Sequence, residues 1–209
     1  MRWMVILSLL GTIVPYAIAR EVVVIKPTAN LNTPNSAYLE FDYYRFISPS
    51  ESYLAKAVYV QIRSSARFDF GVDWVHIDGG AIQTAWNLRY VVLPETEQAP
   101  GVALGMFEMA DGVPPTLYLV GTRTQSQDSL HAGVYLRQGQ VGWGIAHQQR
   151  TRPNLEVAIE YYRQPGGDGL LSLCLTQPVQ ARVSLSVYAT ANDRTRRLEV
   201  IGASVAFNL

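Results

Sequence analysis

The chain has a single cysteine, Cys174, among its 209 residues. An intramolecular disulfide is therefore excluded, so an exported protein of this length must take its stability from elsewhere. No long apolar run follows residue 19, which excludes a membrane helix in the body of the chain. Excess charge of one sign is also missing: 17 basic residues balance 17 acidic ones. No basic stripe marks a nucleic-acid surface, so no nucleic-acid partner is expected. His76, His131 and His147 stand at no metal-ligand spacing, and no metal site is expected. Phosphate-cradling loops and nucleotide fingerprints are missing, so no cofactor is expected either.

Catalytic arrangements are equally thin. His131 lies near Ser129, but closeness in sequence is not triad geometry. The stretch from His76 to Gly80 is explained by an Asp-Gly reversal after a strand. Glu156 and Glu160 recur four apart, about 13 Å along one strand, too far for a shared dyad. No enzyme is expected.

What is present starts with an export signal. Arg2 supplies a short positive region, residues 4–14 form an apolar core, and Ala17-Ile18-Ala19 makes a small-residue cleavage site. Pro15 breaks that core, which is too short to span a membrane comfortably. Residues 1–19 read as a signal peptide with no lipoprotein cysteine at its end. Residues 20–36, rich in Asn and Pro, read as a lead-in segment.

From 37 to 209 one pattern recurs. Short stretches alternate apolar and polar residues and end in turn chemistry, as in Leu155 to Tyr162. Strand side chains point alternately to opposite faces, so the alternation defines two faces. Strands are expected near 37–47, 54–64, 67–76, 81–93, 102–110, 115–122, 130–137, 140–149, 154–163, 170–177, 180–190 and 197–209. Links such as Asp78-Gly79-Gly80, Gln138-Gly139-Gln140 and Gln164 to Gly169 suit tight reversals. The expected fold is all-β: one antiparallel up-and-down domain of about twelve strands.

One face is apolar, with Phe41, Val60, Trp86, Leu119, Val134, Ile145 and Leu173 as examples. The other carries mixed charge: Glu40, Asp42, Asp69, Asp73, Glu156 and Glu160 against Arg63, Arg89, Arg137 and Arg182. Glycines at 71, 105, 133, 142 and 144 share this second face and relieve crowding in a curved sheet. Period-two alternation permits either a soluble barrel or sandwich with the apolar face inside, or a membrane barrel with that face on lipid. Two features favour lipid. Aromatics gather near strand ends on the apolar face: Tyr43, Trp74, Tyr90, Trp143, Tyr161 and Phe207, as in an interface girdle. Strand lengths near 9–11 residues also suit a tilted crossing of the hydrocarbon layer.

A third feature is the ending, where Ile201, Ala203, Val205, Phe207 and Leu209 alternate with smaller or polar residues. This strand resembles the C-terminal assembly signal of bacterial outer-membrane β-barrels, with its aromatic at Phe207 rather than at the last residue. The resemblance implies a porin-like transmembrane β-barrel in the outer membrane, with the lipid bilayer and the outer-membrane assembly machinery as partners. About twelve strands give a narrow lumen. Two outcomes stay open for its charges: a polar filter passing small hydrophilic solutes or ions, or internal salt bridges that plug a structural or binding barrel.

Overall fold

The computed structural model describes residues 37–47, 52–63, 65, 67–110, 112–152 and 155–209. The expected signal peptide and lead-in segment lie outside the described residues. Among the described residues, twelve strands follow one another without a helix between them. They are β1 (Ala37–Ile47), β2 (Ser52–Arg63), β3 (Phe68–Ile77), β4 (Gln83–Leu93), β5 (Gly101–Met109) and β6 (Thr116–Gln125). They continue as β7 (Asp128–Arg137), β8 (Gln140–Arg152), β9 (Leu155–Arg163), β10 (Gly169–Gln180), β11 (Val183–Asn192) and β12 (Leu198–Asn208).

Each strand pairs antiparallel with its neighbours in sequence, and β12 returns to pair with β1, closing the sheet. Closure matters because it leaves no edge: every strand finds a hydrogen-bonding partner on both sides. The turns obey simple backbone rules. Between β7 and β8, Gln138 and Gly139 both adopt positive φ, 50° and 77°, the mirror-image turn that matches strand twist.

The two faces are assigned by exposure. Phe41 is 45% exposed whereas its neighbour Asp42 is 4%; Leu173 is 45% exposed whereas Ser172 is 0%. The apolar row therefore faces outward all round the barrel, and the polar row faces in. A soluble barrel or sandwich would show the reverse.

Two departures from the sequence reading bear on the inner wall. Strand β10 runs on through Pro178 to Gln180, because a register irregularity between these residues accommodates the missing N–H. The reversal consequently falls at Ala181-Arg182, so Arg182 is an exposed turn residue and not part of a strand face. In β5, an irregularity opposite Trp86–Leu88 changes the parity of the strand. Glu108 takes a positive φ of 60° there, and Phe107 and Glu108 both turn inward and are buried. That is a β-bulge re-aiming a side chain.

Candidate functional site

The candidate site is the inner wall, where three sectors differ in chemistry. The first spans β1 to β4. Cross-strand register places Arg63 beside Asp69 and Asp69 beside Arg89, near the rim that carries the last residue. Arg89 donates to Asp69 through Nε at 3.0 Å and Nη2 at 2.5 Å, and both residues are nearly fully buried. Both donors converge on one carboxylate oxygen, Oδ2, in a charge-assisted contact. Higher in the same sector lie Glu40, Asp42 and Asp73, all buried. Tyr38 donates to Glu40 at 2.8 Å, Asn87 to Asp73 at 2.6 Å and, from β11, Tyr188 to Asp42 at 3.4 Å.

The second sector, β5 to β9, is mostly aromatic. Phe107 meets Tyr118 and Tyr135 with ring centroids 5.8 and 6.2 Å apart, and Tyr135 meets Tyr162 at 5.1 Å. Two of these tyrosines lie over glycines, Tyr118 over Gly105 of the adjacent strand and Tyr135 over Gly133 of its own strand. Register sets Tyr118 opposite Gly105, Tyr135 opposite Gly142 and Tyr162 opposite Gly144. A Cβ on Gly105 would collide with the Tyr118 ring and the Leu88 carbonyl, so the ring occupies the space the missing side chain leaves. The same device recurs at Gly202 beneath Tyr188.

Polar groups border this aromatic patch. The bulge directs Glu108 toward Arg137, which donates to it at 3.1 Å, while Thr116 donates at 3.1 Å. The Glu108 N–H in turn reaches the side-chain oxygen of Asn87 at 3.2 Å. Glu160 is wholly buried on β9, two residues from Tyr162. Glu156, nearer the rim, accepts from Gln148 and lies 4.0 Å from Arg150.

The third sector, β10 to β12, carries hydroxyls: Ser172 pairs with Thr190 and Thr176 with Ser186, each at 2.9 Å. Cys174 is buried among them on the same inward row. Among the described residues no cluster of His, Cys, Asp or Glu could hold a metal ion.

The sequence-expected lumen residues thus fall into groups. Glu40, Asp42, Asp69, Asp73 and Arg89 come together on β1–β4, Glu156 and Glu160 share β9, and Arg63 and Arg137 sit at opposite rims. Arg182 leaves the set. Close pairing is local: Asp69 with Arg89 on adjacent strands, Glu108 with Arg137 nearby. These are not opposed charges across the bore. Glu108 was missed because alternation alone places it on the outward row with Leu104 and Met106. A glutamate on an otherwise apolar row was the only signal for it.

Outside, Trp143 packs on Tyr161 with centroids 5.2 Å apart, toward the rim away from the last residue, and Trp74 lies at a similar level on β3. Tyr90 and Phe207 lie toward the other rim, where Phe207 meets Phe41 edge-on at 6.2 Å. Tyr43 is half exposed farther along β1.

No protein-family model and no curated protein matches the chain. Solved structures do. The KdgM porin in complex with disordered oligogalacturonate superimposes with a TM-score of 0.63 at 12% identity, covering 81% of this chain and 99% of that one. A second structure of the KdgM porin gives 0.62 at 10% identity over 81% and 99%. An outer-membrane channel from Pseudomonas putida F1 gives 0.56 at 8% identity, covering 88% of this chain and 100% of that one. These are a porin and a channel, not enzymes. By its fold this chain is a closed antiparallel β-barrel similar to those of this porin and this outer-membrane channel.

Proposed function

We propose that the barrel resides in the outer membrane as a narrow channel for small hydrophilic solutes and ions, with a preference for cations. The observation that carries this reading is the sign of the inner wall. Glu40, Asp42, Asp69, Asp73, Glu108, Glu156 and Glu160 outnumber Arg63, Arg89, Arg137 and Arg150 on the inward rows. Arg89, Arg137 and Arg150 each lie against a carboxylate, where the paired fields largely cancel, leaving Glu40, Asp42, Asp73 and Glu160 against Arg63. A wall with surplus negative charge raises the local cation concentration and repels anions. Carboxylates at this density also favour a wetted bore, since ionised groups away from water are costly.

The acidic wall argues against carrying over the oligogalacturonate of the KdgM complex, because uronate chains are themselves anionic. In this reading β12, with Phe207 near its end, is the strand that the outer-membrane assembly machinery engages. The purified barrel should conduct in planar bilayers, with discrete steps after confirmed insertion. A sealed bilayer containing inserted barrel would overturn the proposal.

One observation favours a second reading, a non-conducting structural or binding barrel. Arg89, Tyr135 and Glu160 are at most 1% exposed, so inward side chains pack closely at several levels. The same conductance measurement separates the two readings.

A further inference from the structure

The lipid-facing surface carries a cationic row whose position asks for an anionic occupant. Lys56 is exposed on β2 between Leu54 and Val58, on the outward row, while Ala55 and Ala57 on either side are buried inward. Register puts Tyr43 of β1 and His76 of β3 directly beside it. Arg45, also exposed, lies diagonally across on β1, where its Nε donates to Ser52 at 2.6 Å. Three cationic or protonatable groups on three neighbouring strands thus form one patch, with Tyr43 and Trp74 exposed beside it.

An ammonium on a lipid-facing strand is strongly destabilising at the bilayer midplane and only slightly so near the interface. Lys56 is four residues from the start of β2, roughly 10 Å below that strand end for a tilted strand. From there a lysine stem reaches the headgroup level while its methylenes stay in hydrocarbon. The outward positions of β1, β2 and β3 include no carboxylate; Asp78, in the turn just after β3, lies rimward of the patch with its N–H on the Leu54 carbonyl. Other outward cations are served by the protein itself. Arg123 donates to the Thr96 carbonyl at 2.7 Å and to the Glu97 carbonyl, and His147 meets Asp128 at 3.1 Å.

We infer that Arg45, Lys56 and His76 form a binding site for the phosphate group of an anionic membrane lipid. The lipid belongs to the leaflet at the rim away from the last residue, with Tyr43 and Trp74 flanking its headgroup. The lipid's acyl chains would run down the apolar wall of β1–β3, over Val58, Val60 and Phe70. The inference concerns the outer surface and holds whether or not the lumen conducts.

The test uses the full barrel in nanodiscs of zwitterionic phosphatidylcholine, with and without phosphatidylglycerol, and native mass spectrometry to count retained lipid. Wild type should retain phosphatidylglycerol selectively and unfold at a higher temperature in its presence. R45Q and K56Q should each weaken retention about fivefold, the usual contribution of one basic group near an anionic surface, and together more than tenfold. K56R should keep it. Inorganic phosphate alone, at millimolar concentration, should not raise the unfolding temperature; an equal rise would reassign the patch to a free anion and overturn the lipid site. Equal retention of both lipids by wild type, or unchanged retention in the double variant, would also overturn it. Conductance should be the same in wild type and in the double variant, which separates this outcome from failure of the channel reading.

Discussion

The charged sector of the inner wall, β1–β4, and its aromatic sector, β5–β9, use the same strand geometry for different ends. In the first, Ala55, Ala57 and Ala85 keep side chains short, so that carboxylates and Arg89 share the space. In the second, Tyr118 fills the space over Gly105 and Tyr135 that over Gly133, and the wall becomes a stack of rings. Burying a ring over a glycine stabilises by shape and apolar contact, whereas burying Arg89 stabilises only while Asp69 is there. The lesson is a division of labour. In the proposed channel the charged sector would carry the field that a permeating ion meets, while the aromatic sector packs ring on ring.

The largest effect should come from splitting the ion pair. Arg89→Leu leaves Asp69 buried without its guanidinium partner and should lower stability by about 3–5 kcal/mol, read as the shift of heat-modifiable gel migration. Arg89→Leu combined with Asp69→Leu should recover much of that loss. Without recovery, the pair is not what holds the charged sector.

In the aromatic sector, Gly105→Ala should cost about 1–3 kcal/mol, because the added methyl displaces the Tyr118 ring. Gly121→Ala is the matched control, since a Cβ there meets nothing nearer than 3.8 Å. Urea titration of the two variants should separate them clearly; equal midpoints would remove the seat-and-ring explanation.

Neutralising Asp42, Asp73 and Glu160 as Asn, Asn and Gln should reduce cation preference severalfold while leaving single-channel conductance within about twofold, because the charges steer more than they obstruct. Selectivity unchanged by all three would move the filter elsewhere.

The smallest effect belongs to the turn between β11 and β12, at the rim away from the last residue. Tyr161 donates to Asp193 at 2.8 Å and the Gly169 N–H at 3.0 Å, which holds the Asp193 carboxyl below its ordinary pKa. Its folded-state value is depressed, so the stabilisation is present above the usual carboxylate range and disappears as pH falls through the lowered value. Asp193→Asn should therefore lower the unfolding midpoint slightly at pH 7 and match wild type in strong acid.

Much of this was legible in the residues. Twelve alternating stretches gave twelve strands within a few residues, because the side-chain period is a property of the backbone and not of the tertiary fold. The direction of the apolar face was not contained in the alternation, which reads the same for a soluble or a membrane barrel. Glu108 was illegible because one extra residue in a bulge reverses parity beyond it. Arg182 was misassigned for a related reason: the expected strand began at 180, whereas an irregularity carries β10 through Pro178 to Gln180 and leaves Arg182 in the turn. The tyrosine seats were invisible too. Gly105 and Tyr118 are opposite only once register is known, and register depends on turns and bulges around the whole ring.

The most direct test of the account is the reversal potential of the purified barrel in a planar bilayer under a tenfold potassium chloride gradient. Surplus carboxylate on the inner wall predicts a potential of the sign set by potassium flux, falling toward zero in the Asp42, Asp73 and Glu160 triple variant. A chloride-signed potential in the wild type would contradict it.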